Sequence, residues 1–576
     1  MEFFNTEYER WLNSPSLTDD ERAELIGIQN DEEAKILRFS APMKFGTAGL
    51  RSTMYMGIGN MNRFTVAQTT RAIAELIISL GAQRRGVAIA YDSRNNSQAF
   101  ARVCACVLAG KGIKSYIFTE LRPTPELSFA VRTLGTIAGI NITASHNPKE
   151  YNGYKAYWED GAQIGPEQAS VISNALSRFD VLDVSGIADY ETAKNEGLIV
   201  ELSDAFDEKY LSAVIGSAVN PDAVRELGDT LRVVYTPLHG AGYKLVPEVF
   251  SRLGLKHLYT VDEQMKPDGD FPTVAKPNPE YVAAFKLGID LANKVGSDIV
   301  IATDPDSDRV GVMTRSGNGD FVTITGNQMG ALLLDYVIKE RRAKGKLPDN
   351  AYCVKSIVST DMAYKIAKDN GVVLHDVLTG FKFIGEVVKN YEERGDEDGF
   401  LLGFEESYGY LLGSYARDKD AVEASMIILE MTAYYKKQGM TLSDALAKLY
   451  ETYGYYIEKT IDVWMEGLDG IEKRKRIMAS LRQNPPRCIA DIKVSSVGDY
   501  LEGVITDVDS GMTRSTGQPS SDVLYYTLES EDKIIIRPSG TEPKIKIYVL
   551  AHGADRLTLA DKAESLAESA KKLTEV

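Results

Sequence analysis

The chain alternates short apolar runs with segments in which apolar residues recur at helical spacing. The first such stretch predicts a helix over 66–80, a strand over 87–91, a helix from 97 to about 110, a strand over 113–118, a helix over 125–134 and a strand over 137–142. Strands and helices that alternate with short connections predict an α/β architecture.

The same pattern returns twice, and the character of the chain then changes. The second block predicts strands over 231–235 and 298–302 with helices ending near 253 and 295. The third predicts helices over 327–343 and 361–369, strands over 352–358 and 372–378, and an apolar stretch over 400–412. Beyond about 456, helices over 466–482 and 556–573 flank short strands such as 491–497 and 533–536. We therefore predict three related mixed α/β domains and a smaller C-terminal α+β domain around a central cleft.

A chain of 576 residues is too long for one core, and the usual domain size predicts roughly four domains. We place their limits at 1–208, 209–324, 325–455 and 456–576. Each α/β block finishes a strand with a polar loop, and open α/β sheets bind ligands at such strand ends.

Composition and charge exclude several classes of partner. With 44% hydrophobic residues and a net charge of −17, the chain resembles an ordinary globular protein that binds neither nucleic acid nor an anionic membrane. An anionic substrate would need locally concentrated Arg and Lys. No apolar stretch approaches the roughly 18 residues of a membrane span, and the N-terminus lacks a signal-peptide pattern. The four cysteines form no CxxC pair, so we expect a cytoplasmic protein without structural zinc or disulfides.

The loop after the strand over 137–142 carries the strongest single signal. It presents Ser145 and His146 on a polar turn that we expect to be closed by Asn147-Pro148 and Asn152-Gly153. A tight turn at a strand end holds a serine side chain in a fixed position. A side chain that accepts and then donates a chemical group needs such a fixed position. Taken alone, this segment is equally well explained by a serine that caps a turn. Three further polar loops favour the reactive serine, because they supply the other parts of a phosphoryl-transfer site.

Asp304, Asp306 and Asp308 lie at alternate positions directly after a predicted buried strand. An extended backbone turns such carboxylates to one side, where they repel one another unless a cation neutralises them. Oxygen ligands at a phosphate site suit Mg²⁺, whereas an EF-hand would need Gly and Glu where Arg309 and Arg315 stand. Solvated turn carboxylates are the alternative, and Arg309 also suits a phosphate.

The segment 537–544 lies between two strand-like runs and combines small residues, hydroxyls and cations. Backbone N–H groups of such a loop can turn inward, and Arg537, Ser539, Gly540 and Thr541 add to a predicted anion-binding nest. A plain hairpin is the alternative.

Other polar loops are ambiguous on their own, because turns and surface charge explain them as well. They are Arg51 after a Gly-rich turn, His239 on a strand-end loop, Glu405 to Ser407 as possible contacts to sugar hydroxyls, and two segments that could supply positive charge, one with Thr379, Gly380 and Lys382 and one with Arg417 and Lys419.

Four motifs, taken in this order, resemble the α-D-phosphohexomutase superfamily over about residues 45–550. They are Thr-Ala-Ser-His-Asn-Pro at 143–148, Asp-Pro-Asp-Ser-Asp-Arg at 304–309, Gly-Phe-Glu-Glu-Ser at 403–407 and Arg-Pro-Ser-Gly-Thr-Glu-Pro at 537–543. The chain length and the segments 379–382 and 417–420 look most like the phosphoglucomutase/phosphopentomutase type. The resemblance implies a phosphoserine loop, a metal-binding loop, a sugar-binding loop and a phosphate-binding domain, one for each predicted domain in order.

The resemblance also implies a role for each motif. Ser145 would be a phosphoserine, and Asp304, Asp306 and Asp308 would hold Mg²⁺ together with one of its phosphate oxygens. Glu405 and Ser407 would bind sugar hydroxyls, and the residues Arg537, Ser539, Gly540 and Thr541 would bind the phosphate that does not react. The implied activity interconverts glucose 1-phosphate and glucose 6-phosphate through glucose 1,6-bisphosphate, in a monomer or homodimer.

Phosphoryl transfer to a sugar hydroxyl also needs a general base. Lys155, His146 and Lys382 are the candidates. We favour Lys155, because it follows the predicted turn at Asn152-Gly153 and could point back toward Ser145.

Two departures from the family pattern concern the sugar. Tyr408 stands where many relatives have glycine, and Phe381 where many glucose-type members have tryptophan. A phosphopentomutase, a phosphomannomutase and a hexose-bisphosphate synthase would share the transfer residues and remain alternatives.

In the metal loop, Pro305 and Ser307 replace glycines but leave the ligands in place. A serine hydrolase is disfavoured because the chain has no GxSxG elbow, and a non-catalytic sensor because nucleophile and metal ligands are both present.

Overall fold

Four β-sheets follow one another along the chain in the computed structural model, which describes residues 3–47, 49–465, 470–539 and 543–575. The first three sheets mix parallel and antiparallel strands, and the fourth is antiparallel. Three mixed α/β units followed by an antiparallel sheet with helices are the predicted fold class. The predicted domain limits stay a prediction. In the described part of the chain, no helix is long and apolar enough to cross a membrane.

The first unit is a six-stranded sheet of order β1-β5-β4-β2-β3-β6. Its strands are β1 (Leu50–Thr53), β2 (Val87–Tyr91), β3 (Ser115–Phe118), β4 (Ala138–Ile142), β5 (Tyr151–Trp158) and β6 (Ile199–Leu202). Its helices are α1 (Phe3–Leu12), α2 (Asp19–Gly27), α3 (Glu32–Phe39), α4 (Arg63–Ser79), α5 (Ser97–Ala109), α6 (Thr124–Leu134), α7 (Pro166–Leu176) and α8 (Tyr190–Asn195). Helices α1 to α3, which the sequence pattern did not predict, pack with the start of α4 around the buried Trp11.

The prediction of a turn at Asn152-Gly153 was wrong, because both residues lie inside β5. This strand pairs antiparallel with β4 on one side and with β1 on the other. A Cβ on Gly153 would lie 2.5 Å from the carbonyl oxygen of Thr143. Glycine is therefore required here by the close approach of two backbones, not by a turn.

The second unit is a five-stranded sheet of order β11-β10-β9-β7-β8. Its strands are β7 (Arg232–Thr236), β8 (His257–Thr260), β9 (Ile299–Thr303), β10 (Val310–Arg315) and β11 (Phe321–Ile324). Its helices are α9 (Asp204–Gly216), α10 (Asp222–Glu226), α11 (Gly242–Arg252), α12 (Asp262–Met265) and α13 (Lys286–Val295), with a 3₁₀ turn over Val282–Phe285. The helix that we predicted to end near 295 thus begins with this 3₁₀ turn and is α-helical over Lys286–Val295.

The third unit is a four-stranded sheet of order β13-β12-β14-β15. Its strands are β12 (Tyr352–Ser356), β13 (Val373–Val377), β14 (Phe400–Glu405) and β15 (Gly409–Leu411). Its helices are α14 (Gly326–Ala343), α15 (Met362–Asp369), α16 (Phe381–Glu392), α17 (Ala421–Lys437) and α18 (Leu442–Tyr453), with a 3₁₀ turn over Glu397–Gly399.

The fourth unit is an antiparallel sheet of order β16-β23-β22-β21-β18-β19-β20, with β17 paired to β18. Its strands are β16 (Tyr455–Trp464), β17 (Cys488–Ile489), β18 (Ile492–Asp499), β19 (Val504–Asp507), β20 (Thr513–Ser515), β21 (Leu524–Leu528), β22 (Lys533–Pro538) and β23 (Lys544–Gly553). Its helices are α19 (Gly470–Gln483) and α20 (Arg556–Lys572). The helix predicted over 466–482 includes residues 466–469, which lie outside the described residues.

One continuous apolar core joins the first three units, and α17 lies within it. The fourth unit has its own core between its sheet and helices α19 and α20. A smaller apolar cluster joins the third and fourth units, where Ile357 and Leu378 pack with Ile535 and Tyr548. The strand-end loops of all four units are therefore held by packed elements.

Candidate active site

Ser145 follows β4 on a turn whose backbone is strained. Its φ of +52° lies in the left-handed region, which costs a non-glycine residue on the order of 1–3 kcal/mol. The hydroxyl of Ser145 lies 3.0 Å from Oδ2 of Asp304 and 3.1 Å from Nδ1 of His146. The fold therefore brings together a serine and a carboxylate that are 159 residues apart.

Arg94 holds this turn in place, and the sequence analysis missed it. Its guanidinium is buried and donates to four carbonyl oxygens of the turn, those of Ser145 (2.6 Å), Pro148 (2.8 Å), Tyr151 (3.0 Å) and Asn147. Arg94 follows β2, the parallel neighbour of β4. The rule that ligand loops follow strand ends could have indicated it, because Asp92-Ser93-Arg94 begins directly after that strand.

The metal loop is a turn, and the prediction of an extended backbone over 304–308 was wrong. Ser307 has a φ of +52°, which reverses the chain between Asp306 and Asp308. The loop also packs closely against the turn before α11, where a Cβ on Gly240 would lie 2.4 Å from Cα of Pro305. The three carboxylates nevertheless converge, because the turn and not an extended strand directs them to one point.

The donor set of this cluster fits a divalent cation. Asp304, Asp306 and Asp308 are buried, and one oxygen of each lies within 4.8 Å of the other two. Oδ1 of Asp306 and Oδ1 of Asp308 are buried, and no described residue forms a hydrogen bond with either oxygen. Buried carboxylate oxygens normally have partners, and hard oxygen ligands suit Mg²⁺. The cluster could therefore hold a metal ion.

Two buried lysines contact the cluster. Nζ of Lys155 lies 2.8 Å from Oδ2 of Asp306 and 3.3 Å from Oδ2 of Asp308, and Nζ of Lys419 lies 2.8 Å from Oδ2 of Asp308. Burial by itself lowers the pKa of Lys155, but Asp306 and Asp308 raise it overall. Lys155 is thus an ammonium bound to two carboxylates, and it lies on strand β5 without a preceding turn at Asn152-Gly153. Its role as a base stays a prediction.

The pKa values of Asp304 and Asp306 shift in opposite directions, because their charged neighbours differ. Burial and the charges of Asp306 and Asp308 raise the pKa of Asp304. Burial would also raise the pKa of Asp306, but Lys155 lowers it overall. Burial and the nearby charge of Arg309 lower the pKa of His146, so its imidazole is neutral. The site therefore contains both fixed charges and a neutral imidazole beside the serine.

Two arginines predicted for the site lie beside these loops. Nη1 of Arg309 pairs with Glu280 at 2.6 Å, and Nη1 of Arg51 donates to Oδ1 of Asn147 at 2.9 Å. The first guanidinium thus lies next to the metal loop and the second next to the serine turn. Glu280 was not predicted, and it fixes the direction in which Arg309 points.

The third unit contributes a carboxylate beside a glycine turn. Oε1 of Glu405, at the end of β14, accepts the N–H of Gly380 at 2.8 Å. Burial and the neighbouring Glu406 raise the pKa of Glu405 to about 7. The hydroxyl of Thr379 is buried and has no hydrogen-bond partner within the described ranges. Burial lowers the pKa of Lys382. Ser407, on the turn after β14, is half-buried.

Arg537 of the fourth unit lies within electrostatic reach of Glu405 and Glu406. Its Nε and Nη2 each lie 3.3 Å from the hydroxyl of Tyr548. Burial would lower the pKa of Arg537, but Tyr548 and the charges of Glu406 and Glu405 raise it overall. The N–H of Ser539 donates to the carbonyl of Lys544 at 2.9 Å. Gly540 and Thr541 lie outside the described residues.

Two predicted site residues have structural partners. Both ring nitrogens of His239 are bound, Nδ1 to the carbonyl of Lys266 and Nε2 to the hydroxyl of Thr273, each at 2.9 Å. Arg417 is fully buried, pairs with Glu392 and donates to the carbonyl of Ala416. Among the described residues, Nε of Arg417 is buried without a hydrogen-bond partner. His239 and Arg417 both stay predicted substrate contacts.

Family models match three consecutive parts of the chain. They are described as phosphoglucomutase/phosphomannomutase, alpha/beta/alpha domains I, II and III, and they match residues 42–180, 208–317 and 325–453. A phosphoglucomutase of Staphylococcus aureus strain MRSA252 is 37% identical over 533 residues, which covers 92% of this chain and 93% of that protein. The phosphoglucomutase of strain NCTC 8325 is 38% identical over 89% of this chain and 90% of its own length.

Solved structures share the fold at lower identity. A putative phosphomannomutase from Thermus thermophilus superposes with a TM-score of 0.68 at 23% identity, covering 93% of this chain and all of that one. The phosphoprotein parafusin from Paramecium, described as a phosphoglucomutase in its open form, has a TM-score of 0.68 at 19% identity, over 93% of this chain and 95% of its own.

The chain belongs to the phosphoglucomutase/phosphomannomutase family, within the α-D-phosphohexomutase superfamily. It is of the phosphoglucomutase type and is a mutase of the isomerase class, an intramolecular phosphotransferase. The family predicted from the four motifs and the fold class predicted from the strand–helix pattern are thereby confirmed.

Proposed function

We propose that this enzyme interconverts glucose 1-phosphate and glucose 6-phosphate by passing a phosphoryl group through Ser145. The observation that carries the proposal is the 3.0 Å contact between the Ser145 hydroxyl and Asp304, inside a cluster of three buried carboxylates. The identity of 37–38% to proteins named phosphoglucomutase favours glucose as the sugar.

Phosphorylated Ser145 would donate its phosphoryl group to the free 6-hydroxyl of glucose 1-phosphate. The bond between the serine oxygen and phosphorus breaks, a bond between the sugar oxygen and phosphorus forms, and the hydroxyl proton passes to a base. His146, Lys155 and Lys382 stay the candidates for that base. The resulting glucose 1,6-bisphosphate reorients and returns its other phosphate to Ser145, which leaves glucose 6-phosphate.

Asp304, Asp306 and Asp308 would hold Mg²⁺ together with an oxygen of the phosphorylated Ser145. When bound, this ion neutralises negative charge on the phosphoryl oxygens. Arg309 and Lys419 add positive charge from the protein itself. In an acidic chain, an anionic substrate requires such a local concentration of cations.

The remaining predicted residues would bind the parts of the sugar phosphate that do not react. Glu405 and Ser407 would contact sugar hydroxyls, with Thr379, Gly380 and Lys382 beside them. Arg537 and Ser539, with Gly540 and Thr541, would bind the distant phosphate. Support comes from Arg537, which lies close enough to Glu405 and Glu406 for their charges to help raise its pKa.

Replacing Ser145 by alanine tests the proposal. We expect Ser145→Ala to lose at least about 1,000-fold in kcat for conversion of glucose 1-phosphate, because no other group accepts the phosphoryl. A coupled assay for glucose 6-phosphate measures this, and an unchanged melting temperature shows that the fold is retained. Ser316→Ala, in the turn between β10 and β11, is the matched control and should keep full activity. Wild-type-like turnover in Ser145→Ala would refute the mechanism.

Parallel assays, each detecting the product of one sugar 1-phosphate, identify the sugar. The account expects a higher kcat/KM for glucose 1-phosphate than for mannose 1-phosphate or ribose 1-phosphate. A preference for either of the other two would assign the protein to a different activity of the same family, with the transfer residues unchanged.

A further inference from the structure

Thr124 connects the first unit to the metal loop of the second by two hydrogen bonds. It is the first residue of α6 and is fully buried. Its N–H donates to the carbonyl oxygen of Asp306 at 2.8 Å, and its hydroxyl donates to Oδ2 of the same residue at 2.9 Å. A backbone donor that the start of a helix leaves free is thus used to anchor a metal-loop residue.

Asn141, on β4, fixes the direction of the Thr124 hydroxyl. Nδ2 of Asn141 donates to Oγ1 of Thr124 at 2.7 Å. A hydroxyl has only one hydrogen, so an oxygen that accepts from Asn141 keeps its own hydrogen for Asp306. The chain Asn141–Thr124–Asp306 therefore joins the strand that carries Ser145 to the loop that carries the carboxylates.

The two oxygens of the Asp306 carboxylate are used differently. Oδ2 accepts from both Thr124 and Lys155, whereas Oδ1 is buried and has no hydrogen-bond partner in the part of the chain that the structure describes. An oxygen that is buried and unbound is the one available to a cation. Both oxygens belong to one rigid carboxylate, so the groups that hold Oδ2 in place also determine the direction of Oδ1.

We propose that Thr124 is a positioning residue that fixes the Asp306 carboxylate so that Oδ1 faces the metal ion, with Asn141 holding the Thr124 hydroxyl in that orientation. The inference rests on the metal site of the proposed function and adds to it a residue from another unit. Groups that orient metal ligands in this way typically change metal affinity about 10- to 100-fold when they are removed.

Lys155 cannot replace this hydroxyl. Its ammonium lies on a flexible stem and is shared between Asp306 at 2.8 Å and Asp308 at 3.3 Å. Thr124 has a β-branched side chain with restricted rotamers, and its backbone is tied to Asp306 as well. The hydroxyl therefore restricts rotation of the carboxylate more tightly than the lysine does.

The test compares Mn²⁺ affinity in Thr124→Val and Thr124→Ser without any sugar phosphate, with free Mn²⁺ measured by electron paramagnetic resonance. Thr124→Val has nearly the same shape without the hydroxyl, and we expect its Kd to rise at least about 10-fold. Thr124→Ser keeps the hydroxyl, and its Kd should stay within about 3-fold of the wild type. The Mg²⁺ concentration for half-maximal activity should rise in parallel in Thr124→Val, while kcat at saturating Mg²⁺ largely recovers.

Thr69→Val is the matched control. Thr69 is a buried threonine of α4 in the same unit, and its hydroxyl donates to the carbonyl of Thr65 at 2.7 Å. Its loss should cost stability without changing the Kd for Mn²⁺. Melting temperatures in EDTA show which variants are folded, and Asn141→Ala supplies a second variant in which a smaller rise of the Kd is expected.

The outcomes separate this inference from the proposed function. If the wild type does not bind Mn²⁺, the metal site of the proposed function fails. If the wild type binds and folded Thr124→Val or Asn141→Ala binds equally well, the positioning role is overturned while the metal site stands. A Kd that rises as much in Thr69→Val as in Thr124→Val would also overturn it, because the effect would then reflect stability alone.

Discussion

At the scale of single residues, Ser145 is held in a conformation that it would not adopt alone. Its left-handed backbone is stabilised by Arg94, whose fixed donors reach carbonyl oxygens on both sides of the turn. A guanidinium can do this because its N–H groups form a rigid planar fork, whereas an ammonium is a single point charge. The position of the Ser145 hydroxyl thus depends on Arg94, which donates to the backbone and not to that hydroxyl.

We expect Arg94→Lys to lower kcat roughly 100-fold, because misplacing a reacting group by about 1 Å costs on that order. Steady-state kinetics measure the loss, and hydrogen exchange over residues 145–151 should become faster. Arg102→Lys, on the exposed side of α5, is the control and should behave as the wild type. Normal kcat in folded Arg94→Lys would show that the turn keeps its geometry without the guanidinium.

Residues such as Ser145 and Asp304 could be predicted because each belongs to a polar motif directly after an apolar strand. Arg94, Thr124 and Glu280 could not be assigned roles in the same way. The site residues that they contact, Ser145, Asp306 and Arg309, lie 29 to 182 residues away in sequence, and no local pattern states which group they contact.

At the scale of elements, hydrophobic periodicity predicted most strands that lead into the site, but not the geometry of two segments. Asn152-Gly153 is a common turn dipeptide, and here its glycine instead allows three strands to approach closely. The alternate spacing of Asp304, Asp306 and Asp308 suggested an extended chain, but Ser307 reverses it. In both segments the same residues are compatible with a turn and with an extended backbone. The packing of the neighbouring elements determines which of the two forms.

Helix α17 carries a buried carboxylate that makes the stability depend on pH. Oε2 of Glu430 accepts the N–H groups of Val219 at 3.0 Å and Asn220 at 2.8 Å, which ties α17 to the segment before α10. Burial raises the pKa of Glu430 from 4.5 to about 7. The stability that this raised pKa contributes is fully present below the ordinary pKa and is lost as the pH rises through about 7.

Glu430→Gln should remove this dependence, because the amide stays neutral and can still accept both N–H groups. We expect melting temperatures close to the wild type at about pH 5 and a few degrees above it at about pH 8.5. Glu451→Gln, at an exposed position of α18, is the control and should follow the wild type at both pH values. Parallel pH profiles for Glu430→Gln and the wild type would contradict the assignment.

At the scale of the whole molecule, the site depends on contacts between units that a sequence does not specify. The four-unit order followed from the repeated strand–helix pattern, but the common core of the first three units did not. The salt bridge of Lys533 with Asp361, at 2.6 Å, and the apolar cluster between the third and fourth units fix the Arg537 loop relative to Glu405. Packing of large surfaces depends on shape, which hydrophobic spacing does not encode.

The central claim is that Ser145 carries the phosphoryl group between the two ends of the sugar. Its most direct test is to incubate the wild type and Mg²⁺ with glucose 1,6-bisphosphate labelled in both phosphates, and to locate the label by peptide mapping and mass spectrometry. The account predicts label on Ser145 alone, and transfer of that label to glucose 6-phosphate when unlabelled glucose 1-phosphate is added. An enzyme that turns over while Ser145 stays unlabelled, or that carries its label on another residue, would contradict the account.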